Sequence, residues 1–293
     1  MSRVQSGAAS AVGKPGTAAR RQRAPRPWLA PVIGALVAAV VFAQGRSQVA
    51  EPPPRAVEVA AHLSGQDWRP IAAGLDGLRT RAPNGVEILA FRINPGDYAF
   101  SVGLQGDDDG DRVDAIGERE GAALVVNGGF FGIDNTGKKL IPVGLLVQGS
   151  RALSKPWTRS GGHLIIEAGS PRIEPTGRKA PSADGDIIQS KPVMIEPGGR
   201  WAMRINRGNL EKRTLVCLLE TGEVILLLVT RGGLSLYEAA WLFRSPRRGG
   251  VYGCDAALAL DGGGSTQVWV DGHPDFDFRG ETPVHNALMV ERR

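Results

Sequence analysis

Asp261 closes the apolar run Ala256-Ala257-Leu258-Ala259-Leu260 and is followed at once by Gly262, Gly263, Gly264, Ser265 and Thr266. A carboxylate fixed at a strand end can serve as a nucleophile, as a base for water, or as the electrostatic partner of a developing cation. Glycines lack a Cβ and so let backbone N–H groups approach a ligand, while the two hydroxyls add donors for a sugar or a phosphate. The same residues also suit a plain reversal into Val268-Trp269-Val270, with Asp261 accepting hydrogen bonds from the amides after it.

A second run, Ala122-Ala123-Leu124-Val125-Val126, leads into Asn127-Gly128-Gly129-Phe130-Phe131. Two strands thus each deliver a polar side chain onto a glycine-rich bend, the arrangement expected where side chains converge on a pocket. Asn127 could hold a sugar hydroxyl or N-acetyl group, or its own backbone. Phe130 could stack on a sugar ring or sit in the core. Arg213, at the head of the apolar run from Thr214, has the planar fork that grips phosphate oxygens; an ion pair with Glu211 or Glu220 is the alternative. Gln189 and Ser190 read as sugar or phosphate donors, or as a polar break in a strand.

His285, beside Asn286, is the better functional candidate of the four histidines, ahead of His163 at the head of an apolar strand. No His/Cys/Asp spacing of a zinc site occurs, so no transition metal is expected. Asp107-Asp108-Asp109-Gly110-Asp111 does not meet the calcium-loop pattern, because its twelfth position would be Ile116 rather than a bidentate Glu. It reads as an acidic turn capping a helix from Arg112 to Gly121. No cofactor is expected; a divalent cation such as calcium around Gly262 stays open.

These residues must be positioned by a folded part that does not include the N-terminus. Residues 1–27 carry only basic charges among Ala, Gly, Ser and Pro, the composition of a disordered tail. Residues 28–43 are uncharged and apolar, and read as a signal peptide or a membrane anchor that would place the rest outside the cytoplasm, in the periplasm or cell envelope. Residues 44–66 include Pro52-Pro53-Pro54 and read as a stiff linker, leaving 67–293 as the domain. The net charge of +5 resides largely in the tail, so it gives no case for nucleic acid binding. Cys217 and Cys254 read as two buried thiols slightly more readily than as a disulfide, which an exported setting would permit.

Within the domain, strands are expected at Gly85 to Ile93 and Tyr98 to Val102, joined by the turn at Asn94 to Asp97. Further strands are expected at 144–147, 163–167, 187–195, 214–219 and 224–230. A helix from Ser235 to Phe243 has Ser235 as N-cap and Glu238 placed for a capping box. Strand, helix and strand in that order suggest a crossover packed on a sheet. The fold class is α+β: a mixed, largely antiparallel sheet core with a few packed helices in a single domain.

Taken in order, Asn127 to Phe131, Pro142-x-Gly144 with Gly149, Gln189-Ser190-Lys191-Pro192, Arg213-Thr214, the helix after Gly233, Asp261 to Ser265 and Pro283-Val284-His285-Asn286-Ala287-Leu288 resemble the phosphodiester glycosidase family. The resemblance spans roughly Asp67 to Arg292. It implies hydrolysis of a sugar-1-phosphodiester, with a glycan or sugar phosphate as substrate and site residues among the motifs above. The chain departs from the family pattern at Lys191, where Gly is usual, and at Thr282, where Arg is common. Lys191 would either alter the pocket or place a cation near a phosphate. A non-catalytic envelope protein that binds glycan or phosphate in the same pocket is the alternative. A non-sugar phosphodiesterase would be expected to display His/Asp metal clusters, which the sequence does not show.

Overall fold

The computed structural model describes residues 52–157, 160–177, 181 and 184–293. The expected tail (1–27) and the signal or anchor segment (28–43) lie outside the described residues, as does the linker up to Glu51. Among the described residues no helix is long and apolar enough to cross a membrane.

The strands of the described residues form antiparallel sheets of eight, five, four and two. The longest strand, Val224–Leu234, lies inside the large sheet and is buried along most of its length. Its alternate residues Leu226 and Leu228 face one core, and Ile225, Leu227 and Val229 face another. A strand buried on both faces reads as a continuous apolar run, as this one does. The first core lies between the large sheet and the four- and five-stranded sheets. The second lies under two helices, α1 (Pro54–Ser64) and, later in the chain, Leu236–Leu242. Helix α2 (Val113–Glu120) covers the outer face of the four-stranded sheet through Val113 and Ile116. The fold is therefore α+β with a largely antiparallel core.

Helix α3 (Leu236–Leu242) forms where its capping box places it: Ser235 Oγ accepts from Glu238 N, and Glu238 Oε2 accepts from Ser235 N. It carries the chain from Val224–Leu234 across to Cys254–Ala259, which lie on either side of the strand Glu211–Leu219. The crossover expected from sequence is present.

Five expectations are corrected. Residues Pro54–Ser64, read as linker, form α1, because Ala56, Val59, Ala60 and Leu63 recur at helical spacing and are buried. Cys217 and Cys254 are joined as a disulfide, their Cα atoms 5.6 Å apart on neighbouring strands. Glu87–Ile93 and Tyr98–Leu104 do not pair with each other; the first joins the large sheet and the second the four-stranded one. The run 187–195 is two strands, Gly185–Ser190 and Val193–Glu196, in different sheets, with a cis Lys191-Pro192 bond between them. The acidic turn also does not cap α2, whose N-cap Arg112 receives no side-chain cap; Asp111 instead accepts from Gly106 N and pairs with Arg119.

Candidate active site

The two glycine-rich bends meet. Asn127 ends the strand Leu124–Asn127, and its Nδ2 donates to the Asp261 carbonyl at 2.8 Å. In return Asp261 N donates to Gly128 O at 3.0 Å. Asn127 Oδ1 accepts from Thr214 Oγ1 at 2.6 Å and from Gln267 N at 3.2 Å. The side chain is fully buried, and three of its four hydrogen-bonding capacities are taken by the protein. Asn127 is thus a brace behind Asp261 and does not face the cavity in front of it.

Register decides which way Asp261 points. Leu215 pairs with Ala259, and Leu260 N donates to Thr214 O, so the next facing positions along the two strands are Arg213 and Asp261. Alternation puts both on the side of Leu215 and Ala259, the side covered by α3. There they line one wall of a cavity of about 640 Å³, together with Gly262, Lys191, Phe130 and Tyr237. That volume lies in the range of small-ligand pockets, roughly 300–1,000 Å³.

Burial pushes the Asp261 carboxyl above the ordinary carboxylate range, while hydrogen bonds from the Ser265 hydroxyl and Gly262 N pull it down. The Gly262 N bond to Oδ1 is 2.9 Å. Gly262 is required by close approach, since a Cβ there would stand 2.8 Å from Lys212 O. Burial also lowers the Arg213 pKa, against the field of Glu211, which raises it. The guanidinium donates through Nε to Leu234 O at 2.9 Å and through one terminal nitrogen to Asn209 O at 2.8 Å. Those bonds hold the plane and leave its other terminal nitrogen uncommitted among the described residues. Arg213 has no carboxylate within 4.0 Å among the described residues, so the ion-pair alternative is not realised. Lys191 Nζ sits 5.1 Å from the centre of the Trp157 ring. With Arg207 and Glu211 also in the lining, the wall carries three cations against two carboxylates.

The remaining sequence candidates fall into two groups. Phe130 and Gly262 line the cavity. Gln189 does not: its Oε1 accepts from Leu145 N and Trp157 N, and its Nε2 donates to Trp157 O, so it staples the Trp157 loop rather than offering donors to a ligand. Asn286 Oδ1 accepts from Gly129 N at 2.7 Å and packs so close to Gly128 that a side chain there has no room. Gly263, Gly264 and Ser265 form a 3-10 turn whose Gly264 carbonyl is tied to Glu281 N and Thr282 N. Ser190 and Thr266 are fully buried, and their hydroxyls have no partner among the described residues. His285 is buried beside Asn286, away from the cavity lining, and burial with the nearby Lys139 charge pushes its pKa down to about 4.

Several lining residues carried no motif in the sequence. Arg207 and Asn209 lie in a stretch without periodicity between Trp201 and Glu211, and Tyr237 lies in α3 without a motif of its own. Lys191 alone had a signal, as a departure from the family pattern.

Similarity to known proteins is found in the fold and in the sequence family. A zebrafish N-acetylglucosamine-1-phosphodiester alpha-N-acetylglucosaminidase catalytic domain, solved auto-inhibited by its pro-peptide, is similar in structure with TM-score 0.56 at 12% identity, over 77% of this chain and 86% of that one. A hypothetical protein from Synechocystis is similar with TM-score 0.50 at 14% identity; the match covers 78% of this chain but only 64% of that longer one. No curated protein matches this chain by sequence. The sequence model of phosphodiester glycosidases matches residues 120–291, more than half of the chain and inclusive of Asn127, Arg213 and Asp261. The chain belongs to the phosphodiester glycosidase family.

Proposed function

We propose that this protein hydrolyses a sugar-1-phosphodiester, releasing the sugar and leaving a phosphomonoester on the other partner. The observation that supports this most is the facing pair at one cavity wall: Asp261, a carboxyl lifted by burial, and Arg213, a half-buried cation with no carboxylate partner among the described residues.

In this reaction water adds to the anomeric carbon as the bond from that carbon to the phosphate oxygen breaks. Positive charge grows on the sugar and negative charge on the departing phosphate. Asp261 faces the first, as base for the water or as electrostatic partner of the oxocarbenium-like carbon. Arg213 and Lys191 face the second. A phosphomonoester leaves far more easily than an alkoxide, so the second carboxylic acid of ordinary glycosidases is dispensable. Asn127 acts through Asp261 by holding its carbonyl.

We also place the domain outside the cytoplasm. The basic tail and apolar segment 28–43 support export, and the Cys217–Cys254 disulfide fits an oxidising compartment. The reaction is tested by incubating the full chain with UDP-sugars and with sugar-1-phosphodiesters and measuring free sugar. Saturable binding by folded protein without release of any sugar would instead favour the glycan- or phosphate-binding reading.

A further inference from the structure

A second cavity, of about 610 Å³, lies on the other side of an aromatic wall from the first. Trp201 lines this cavity and Tyr237 lines the Asp261 cavity; their rings meet edge to face with centroids 5.2 Å apart. The floor is built by the end of α3 and the short turn Pro246–Arg248, facing the Gly198-Gly199 turn and Cys254.

Its charge is strongly one-sided. Arg244, Arg247 and Arg248 line it against a single carboxylate, Glu220. Arg244 is held by stacking rather than by pairing: its guanidinium carbon is 4.2 Å from the Trp241 ring centre and 5.2 Å from that of Trp201. The two indoles are themselves 5.9 Å apart and nearly perpendicular, and Trp241 Nε1 donates to Gly249 O, which fixes the arginine-bearing turn. None of the three arginines has a carboxylate within 4.0 Å among the described residues, whereas Arg200 nearby is paired with Glu196. Stacking between indoles leaves the N–H edge of a guanidinium free, and that edge is the part that takes phosphate oxygens in two bonds.

We propose that this cleft is a second anion site that takes a phosphate group, with Arg244 as its stacked floor and Arg247 and Arg248 as its rim. Because Trp201 of this cavity packs edge to face on Tyr237 of the other, the phosphate belongs to the next repeat of a phosphodiester-linked saccharide whose terminal sugar lies at Asp261. That last assignment rests on the proposed hydrolase reading, while the binding of phosphate does not.

The test is calorimetric titration of the full chain with inorganic phosphate, for wild type, Arg247→Gln/Arg248→Gln and Arg213→Gln. Arg247 and Arg248 are exposed, so their replacement leaves the core intact. The double variant is expected to bind phosphate at least about tenfold more weakly at this site, with Arg213→Gln retaining it. An unchanged phosphate affinity in the double variant, or complete loss of binding in Arg213→Gln, overturns the site. The source of the phosphate is read from KM: in the double variant it rises at least about threefold for a three-repeat phosphodiester-linked oligosaccharide and stays unchanged for a single repeat. Equal KM values for both, with phosphate binding lost, sink the substrate-chain assignment and leave a site for free phosphate. If no substrate is turned over, the hydrolase reading fails while the phosphate titration still decides this one.

Discussion

The Asn127 side chain donates to the main-chain carbonyl of Asp261 at 2.8 Å, while Asp261 N donates to the carbonyl of Gly128. Two strands from different sheets are thus clamped at the point where the chain turns toward the cavity. The carboxylate direction is set by this clamp and by strand alternation, before any ligand arrives.

Asn127→Ala removes the clamp and leaves the Thr214 hydroxyl, the Gln267 amide and the Asp261 carbonyl without that partner in a buried setting. Unsatisfied buried groups of this kind cost about 2–4 kcal/mol together. Urea unfolding is expected to register that loss, with activity falling alongside it. An unaltered midpoint would remove Asn127 from the bracing role.

Much of the scaffold could be read from residues alone, because its signals are local. The capping box at Ser235 and Glu238, the two-faced run from Val224 and the strands leading to Asn127 and Asp261 each depend on spacing within one segment. What escaped depends on partners distant in the chain. The turn at Asn94 to Asp97 looks like a hairpin, yet it hands the chain from the large sheet to the four-stranded one. Asn127 and Gln189 have the donors of substrate-binding residues, but their amides are consumed by Asp261, Thr214 and Trp157. Arg207 and Tyr237 reach the cavity only through the path of a loop and the docking of α3.

Reduction of Cys217–Cys254, or replacement of both by alanine, frees a loop whose ends are 37 residues apart. Chain-entropy arguments put the loss at about 3–4 kcal/mol. Unfolding in urea with and without dithiothreitol measures it. Equal stability in both conditions would show that the bond contributes nothing.

His285 is held neutral by burial, with its folded pKa down at about 4, below its unfolded value. Above the unfolded pKa both states are neutral and the residue contributes no pH dependence. As pH falls from about 6.5 toward 4 the unfolded chain takes up the proton first, so stability drops. The loss is on the order of 2 kcal/mol once solvent screening is allowed for. His285→Gln should flatten the stability profile in that window; a slope equal to wild type would contradict the assignment.

Arg213→Lys keeps the charge but loses the planar fork and its bonds to Leu234 O and Asn209 O. We expect kcat/KM for a sugar-1-phosphodiester to fall by about 10- to 100-fold, and Arg213→Gln to fall further. Kinetics of the two variants side by side give the comparison. Full activity in Arg213→Gln would take phosphate binding away from this residue.

The most direct measurement is the rate of sugar release by Asp261→Asn, paired with its unfolding midpoint at pH 7. Burial raises the Asp261 pKa above its unfolded value, so folding loses stability as pH rises through that interval, and removing the charge should leave the variant no less stable than wild type. The account predicts a folded protein whose kcat/KM is down at least a hundredfold, about 2.7 kcal/mol of transition-state stabilisation. A folded variant with a rate within tenfold of wild type would contradict it.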